Sequence, residues 1–357
     1  MIEGKPGDRD DPLLIGDFDY ELPPELIAQR PLVDRDQSRL MVLERETGQI
    51  THSTFNRLAE WLEPGDLLVA NNSRVIPARL KGVRLPGGGD VEILLLRDRG
   101  DAWAALGKPA ARLRPGTRLQ FSPRVPGFPV LAAEVIANEG AGQVLVRFDE
   151  HLDEHLDNYG VTPLPPYITE RLHDAERYQT VYSSVPGSAA APTAGLHFTP
   201  DLVSNLRRAG IEWAEVTLHV GLDTFRPVTV DRVEDHHIHQ EWCAVPDMTA
   251  MAIHQCRERG RRVVAVGTTV ARTLETLGRT WDASQPRGFS GFTDTFILPG
   301  HPWKLVDALL TNFHLPKSTL LLLVSALAGR ETILSAYQEA VRCEYRFFSF
   351  GDAMLIR

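Results

Sequence analysis

Residues 66–149 constrain this chain more than any other stretch, because their apolar runs are too short for helices and are cut by turn signals at regular intervals. Seven strand-like runs, Leu67–Ala70, Arg79–Leu85, Val91–Leu96, Ala102–Leu106, Arg118–Phe121, Val130–Ile136 and Gln143–Phe148, alternate with turns such as Pro86-Gly87-Gly88-Gly89-Asp90, Arg114-Pro115-Gly116-Thr117 and Gly140-Ala141-Gly142. This punctuation predicts a closed antiparallel β-barrel. The flanking sequence has a different texture. Asp17–Gln29 reads as an extended piece followed by a helix, Ser38–Leu43 as a strand, and Phe55–Leu62 as a short amphipathic helix stopped by Pro64-Gly65. After about Asp149, helices (Pro200–Ala209, Asp247–Arg259, the segment after Gly267, Glu331–Glu344) alternate with strands (Glu212–Val220, Arg262–Val266, Phe292–Leu298), and Arg346–Ile356 reads as a closing strand pair. The expected fold class is α/β: a mixed α/β main domain (17–65 and 150–357), an inserted antiparallel β-barrel domain (66–149) and a polar N-terminal extension (1–16).

Three cysteines, Cys243, Cys256 and Cys343, have no paired spacing, which fits a reducing compartment and argues against a disulfide framework or a CxxC metal site. The N-terminus has no apolar core of signal-peptide length, and the most apolar run, Leu320–Leu327, is far too short to span a bilayer. A cytoplasmic location, with no membrane partner, is the expectation. The formal net charge of −9 argues against nucleic acid only until its distribution is considered. Arg74–Arg124 holds eleven Lys or Arg against four acids, a balance of +7 that leaves −16 for the remainder. A phosphate backbone docking on one part of the molecule fits this pattern, as does a solvated β-surface rich in arginine.

Arg177–Thr199, RYQTVYSSVPGSAAAPTAGLHFT, has little apolar surface to bury. Its small residues let bare backbone approach a ligand, and His197 and Phe198 close it with a titratable ring and an aromatic face. An ordinary surface loop shares that composition. Gly267-Thr268-Thr269 marks a strand-to-helix junction, where free N–H groups and hydroxyls suit a carboxylate or phosphate, although plain helix caps look alike. Gly221-Leu222-Asp223-Thr224 is a third polar loop after a strand. Histidines crowd nearby: His197, His219, the HHxHxE run of His236, His237, His239 and Glu241, and later His314. That run reads either as a zinc-type ligand set or as a hydrogen-bonded edge; as acid–base groups, histidines suit proton transfer at neutral pH. Asp294 sits in the apolar run FTDTFIL, facing a ligand or capping an edge.

Ten motifs in order, NNSRVIPARL, LPPYI, RYQTVY, APTAGLHFT, HVGLDTFRPV, HHIHQE, VGTTVARTLE, TDTFILPG, DALLTNFHLPKSTLLLLVSALAG and AYQEAVRCEYRFFSFGDAMLI, resemble the S-adenosylmethionine:tRNA ribosyltransferase-isomerases of the queuosine pathway. The resemblance runs from about Asp17 through nearly the whole chain; Ser183-Ser184 after Tyr182, Leu222-Asp223 and residues 1–16 depart from it. It implies an α/β domain with an inserted barrel. It also implies transfer of the ribosyl carbons of S-adenosylmethionine to 7-aminomethyl-7-deazaguanine at the tRNA wobble position, with rearrangement to epoxyqueuosine and release of adenine and methionine. S-adenosylmethionine is then a consumed substrate; no cofactor and no metal is expected, and the enzyme is expected to be monomeric. Such a reaction needs a base beside the acidified C5′ proton, a donor for departing adenine and a desolvated place for the amine.

His197, His219 and Asp294 are the candidate catalytic residues. Tyr178, Pro192, Thr193, Ala194, Gly195, Gly221, Gly267, Thr268, Thr269, Arg272 and His314 are the candidate substrate-binding residues. Pro192–Gly195 and Gly267-Thr268-Thr269 are expected to converge on one ligand, with His197 at the reacting ribose. An ordinary methyltransferase would need a GxGxG turn after its first strand, which is absent. A non-enzymatic RNA-binding barrel leaves the histidine- and threonine-rich loops without purpose.

Overall fold

The computed structural model describes residues 13–140, 142–152, 155–170, 172, 174–221, 230–236, 238 and 240–357. In chain order the strands of the first half are β1 (Arg39–Leu43), β2 (Ile50–Thr54), β3 (Leu67–Asn71), β4 (Ser73–Val75), β5 (Arg79–Leu85), β6 (Gly89–Asp98), β7 (Trp103–Lys108), β8 (Arg118–Phe121), β9 (Leu131–Gly140), β10 (Gln143–Phe148) and β11 (Gly160–Val161). The second half alternates: β12 (Val185–Ser188), α1 (Pro200–Arg208), β13 (Glu212–Leu218), β14 (Glu241–Val245), α2 (Asp247–Glu258), β15 (Val263–Val266), α3 (Thr268–Gly278), β16 (Phe289–Thr293), β17 (Ala308–Asn312), α4 (Thr319–Ala328), α5 (Arg330–Arg342) and β18 (Ala353–Ile356).

A nine-stranded mixed sheet runs in the order β16-β14-β13-β3-β15-β17-β18-β1-β2. Its four central strands, β13, β3, β15 and β17, are mutually parallel, so their carboxyl ends lie along one edge. Such strands are covered on both faces, and the residue alternation shows it. Leu67, Val69, Val263, Ala265, Leu309 and Met354 pack on one side with Ile253, Leu274, Leu322 and Tyr337 of α2, α3, α4 and α5. Leu68, Ala70, Val264, Val266, Leu310 and Leu355 pack on the other with Phe55, Phe198, Leu202 and Leu206. Each buried Val, Leu, Ile, Phe or Met among them contributes roughly 1.5–3 kcal/mol, which is why β3 and β15 are nearly all apolar.

The second sheet, in the order β11-β5-β6-β7-β10-β9-β8, closes by pairing β8 back onto β5 around its own core of Leu80, Ile93, Leu119, Phe121 and Val144. This is the inserted antiparallel barrel, and the α/β class stands. Several expected elements differ. Leu67–Ala70, expected as the barrel's first strand, is a central strand of the main sheet between β13 and β15, so the barrel's own strands begin at Arg79 rather than at the expected boundary of 66. Its all-buried pattern is that of a parallel strand. Asp17–Gln29 forms only two 3-10 turns, Ile15–Phe18 and Pro24–Leu26, because each proline holds the residue before it extended. Residues 13–16 are not a loose extension: Leu14 bridges Arg232, and Ile15 is buried in the main core. Phe292–Leu298 yields a strand only to Thr293, and Arg346–Ile356 yields one strand, β18, instead of two. Among the described residues no single helix is long and apolar enough to cross a membrane; α4 and α5 together are bent by 114°.

Candidate active site

A cleft of about 1510 Å³ opens between the barrel and the carboxyl edge of the central strands, where crossing-over sheets place their ligands. Its base is the start of α3. β15 ends at Gly267, whose φ of +94° turns the chain without a Cβ penalty, and Thr268 and Thr269 follow on the cleft wall with the helix's unbonded N–H groups. One turn on, Arg272 is buried and spreads its guanidinium over β14, β16 and the segment after it: Nε donates to Thr295 O (3.0 Å), Nη2 to Thr293 O (3.1 Å) and Nη1 to Glu241 Oε2. The other oxygen of Glu241 accepts the N–H of Gly221 at 2.8 Å. This buried pair ties α3, β14, β16 and the exit of β13 into one rigid floor.

His219 forms the adjoining wall. Asn71, at the end of β3, fixes the chain just before it: its side chain donates to Leu218 O and accepts from Leu218 N, both at 3.0 Å. The His219 N–H bonds Trp242 O, and its ring stacks on Trp242 with centroids 5.1 Å apart and 19° between planes. Among the described residues, Nδ1 of His219 is buried with no hydrogen-bond partner. Burial lowers its pKa from the ordinary histidine value, so the ring is neutral at physiological pH and holds a free lone pair. Gly187 lies against the same ring, with φ +135°; a Cβ there would come within 2.9 Å of Cε1 and Nε2. Gly187 is the extra residue of an irregular pairing between β12 and β4.

The barrel supplies the opposite wall through Arg97, Arg99, Trp103 and Ala104. A register shift between Leu95 and Arg97 turns the end of β6, and the Arg97 guanidinium lies 4.8 Å over the ring of Phe292 on β16. That contact bridges the barrel and the main sheet across the mouth of the cleft.

Of the residues expected from sequence, His219, Gly221, Thr268, Thr269 and Arg272 line the cleft, and Gly267 stands directly behind them. The others do not. His197 is buried on the far face of the sheet, stacked on Phe55, with Nδ1 2.7 Å from Ser38 Oγ and Nε2 3.2 Å from Asn312 Nδ2. Burial first, then the Arg346 charge, holds its pKa down to about 4. Ala194 packs in the core of that face, and Pro192, Thr193 and Gly195 beside it do not line the cleft. Ala194 does approach Gly267, 3.5 Å from a Cβ placed there, so the two loops converge, but behind the sheet edge and away from the cleft. Gly195 is required by Tyr182, whose hydroxyl is 2.1 Å from where a Cβ would stand. Tyr178 is wholly buried against Phe350. His314 is buried beside Thr311, with its pKa down to about 3. Asp294 points to solvent and pairs with Arg279 at 2.8 Å, because its neighbours Thr293 and Thr295 take the inward side. In the HHxHxE run, Glu241 is engaged by Arg272 and Gly221, while His237, His239 and Leu222–Thr224 lie outside the described residues. Sequence reading missed Gly187, Trp242, Phe292, Arg97 and Trp103; only Gly187, inside the small-residue stretch, carried a usable signal.

Of the eleven basic residues in 74–124, Arg74, Arg79, Arg99 and Arg118 are paired with Glu176, Glu92, Glu139 and Asp149. Lys81, Lys108, Arg112 and Arg114 are exposed and carry no ion pair among the described residues.

The family described as queuosine biosynthesis protein matches residues 15–356. The S-adenosylmethionine:tRNA ribosyltransferase-isomerase of Carboxydothermus hydrogenoformans is 54% identical over 342 residues, covering 95% of this chain and 98% of that protein. That of Acetivibrio thermocellus is 53% identical over 346 residues, covering 96% and 99%. The crystal structure of S-adenosylmethionine tRNA ribosyltransferase from Thermotoga maritima is similar at 42% identity with a TM-score of 0.55, over 96% of this chain and all of that one.

Proposed function

The chain belongs to the queuosine biosynthesis protein family, and from that premise we propose that it is an S-adenosylmethionine:tRNA ribosyltransferase-isomerase working in the cleft between barrel and sheet. The ribosyl carbons of S-adenosylmethionine pass to the aminomethyl nitrogen of 7-aminomethyl-7-deazaguanine at the tRNA wobble position; the ribose becomes an epoxycyclopentane, and adenine and methionine leave. The observation that carries this reading is His219, neutral and, among the described residues, unpartnered at Nδ1, beside the start of α3. The sulfonium acidifies the C5′ protons, and His219 takes one of them. Stacking on Trp242 keeps its ring oriented without using its nitrogens. Thr268 and Thr269 hold the methionyl carboxylate at the helix start. The Arg272–Glu241 pair does not meet the reacting atoms; it fixes the floor on which they sit.

The cleft's volume exceeds the 300–1,000 Å³ usual for one small ligand, which supports a second occupant. Trp103 and Phe292, with Arg97 between barrel and sheet, offer the planar surfaces on which an unstacked base rests. Lys81, Lys108, Arg112 and Arg114 of the barrel contact backbone phosphates. The chemistry is proton transfer with cleavage of C–N and C–S bonds, and it needs no metal.

The test is incubation of the protein with ribosyl-labelled S-adenosylmethionine and tRNA carrying the aminomethyl base, after exhaustive chelation. Adenine release with label in the tRNA is expected. S-adenosylhomocysteine would mean methyl transfer, and tRNA binding without adenine release would mean a binding protein; either outcome defeats the proposal.

A further inference from the structure

At the margin of the nine-stranded sheet remote from β14 and β16, three side chains of different chemistry meet. His52 lies on β2, the outermost strand there; Glu339 is in the last turn of α5, and Cys343 ends that helix. One donor atom of each lies within 4.8 Å of the others. His52 Nε2 is 3.4 Å from Glu339 Oε1, and Cys343 Sγ donates to the same oxygen at 3.1 Å. With zinc–nitrogen and zinc–oxygen bonds of about 2.0–2.2 Å and zinc–sulfur bonds of about 2.3 Å, the edges of a tetrahedron are about 3.3–3.6 Å. Glu339 Oε1 is therefore at about a tetrahedral edge from both other groups, and the donor atoms of His52 and Cys343 lie within 4.8 Å of each other, close enough to close on a shared ion.

The surroundings fit the same ligand. His52 Nδ1 is 2.7 Å from the hydroxyl of Tyr345, an outer partner that sets the ring's direction. Arg39 packs 4.3 Å over that Tyr345 ring. Arg342 bonds both oxygens of Glu339, at 2.8 Å to Oε2 and 2.6 Å to Oε1. A carboxylate has about four lone-pair sites, so Arg342 keeps Oε2 while Oε1 turns to the metal. Thiolate with imidazole selects zinc-class ions over magnesium or calcium. All three groups reach solvent, which gives an ion a path in.

We propose that His52, Glu339 and Cys343 bind one zinc-class divalent cation, with water as the fourth ligand, and that the ion ties the sheet's edge strand to the end of α5. On binding, the Cys343 thiol gives its proton to solvent and its S–H···O bond is replaced by a metal–sulfur bond; nothing is oxidised or reduced.

The full chain, freed of metal, is titrated with Co²⁺ alone and followed by absorption. Cys243 and Cys256 are wholly buried, so a thiolate-to-cobalt charge-transfer band reports Cys343. The expected result is a one-to-one band, displaced by Zn²⁺ and lost in Cys343→Ser. His52→Gln should weaken binding by more than the ~10–100-fold typical of losing an outer partner. Zn²⁺ should also raise the thermal midpoint of the wild type and not that of Cys343→Ser. Cobalt spectra without a sulfur band, as the histidines around His236 alone would give, overturn the proposal. So do a band that survives His52→Gln at full affinity and the absence of any band or thermal shift.

Discussion

Replacing Gly187 by alanine tests the catalytic reading at one atom. The added Cβ would stand 2.9 Å from Cε1 and Nε2 of His219 and 3.2 Å from Nδ1. Carbon contacts settle at about 3.5–4.0 Å, so the ring must retreat by roughly 0.6–1 Å although it is already stacked on Trp242. A misplacement of about 1 Å at a reacting group costs on the order of 10²-fold, and the smaller shift somewhat less. Turnover in Gly187→Ala should therefore fall roughly 10–100-fold. The φ of +135° adds about 1–3 kcal/mol of backbone strain, visible as a lower thermal midpoint. Adenine release at saturating S-adenosylmethionine and tRNA separates the two effects, because strain alone lowers stability without slowing the folded enzyme. A double-mutant cycle makes the test sharp. In a His219→Ala background the ring is gone, and adding Gly187→Ala should slow adenine release no further. Folded Gly187→Ala turning over at the wild-type rate refutes the reasoning, as does an equal further loss in the His219→Ala background.

Other outcomes follow from the same geometry. His197→Gln should keep adenine release, because its ring sits behind the sheet, and should change acid stability instead. The folded state holds His197 neutral, with its pKa down to about 4 from 6.5, so its contribution is fully present above pH 6.5 and drains away as pH falls toward 4. The wild type should lose up to a few kcal/mol across that window in urea melts, and a His197→Gln protein with an unchanged acid limb contradicts the assignment. Glu241→Ala removes the carboxylate that accepts from the buried Arg272 guanidinium and should cost about 3–5 kcal/mol of stability; a loss under 1 kcal/mol in chemical denaturation would show the pair to be solvated. Changing Lys108, Arg112 and Arg114 to Glu should weaken tRNA binding and lower its salt slope by about 0.7–0.9 for each phosphate contact removed; an unchanged slope removes the barrel from the interface.

The alternation of residue character was enough to read both the barrel and the α/β frame, because burial on one or two faces imposes a period on the sequence. The strand β3 shows where that reading fails. Its run of apolar residues says buried strand but not which sheet, and only its partners β13 and β15, far along the chain, decide. The site was half legible for a similar reason. Thr268, Thr269 and Arg272 were found because a strand-to-helix turn is a local signal. His197 had the stronger claim over His219 in sequence, since it closes the small-residue stretch that suggested a ligand loop. The strand geometry separates them, sending one to each side of the sheet edge. Phe292, Trp242 and Trp103 line the cleft from two sheets, and no local pattern distinguishes them from core aromatics.

The two-stranded pairing of β4 with β12 has a mechanical consequence. β4 is the stem from which the chain enters the barrel, and Gln179 clamps it by accepting from Val75 N at 3.0 Å and donating to Val75 O at 2.8 Å. β12, bonded alongside, contains the Gly187 that abuts the His219 ring. The stem of the barrel and the residue that abuts His219 thus belong to one short ribbon. We infer that a large partner docking on the barrel would bear on His219 through this ribbon, so that docking and readiness for proton transfer would be linked. Two glycines inserted after Pro77 should slacken it, slowing adenine release more than they weaken tRNA binding; equal losses would break the link. On that inference the short ribbon would act as a gauge, letting one end of the molecule register what is seated at the other.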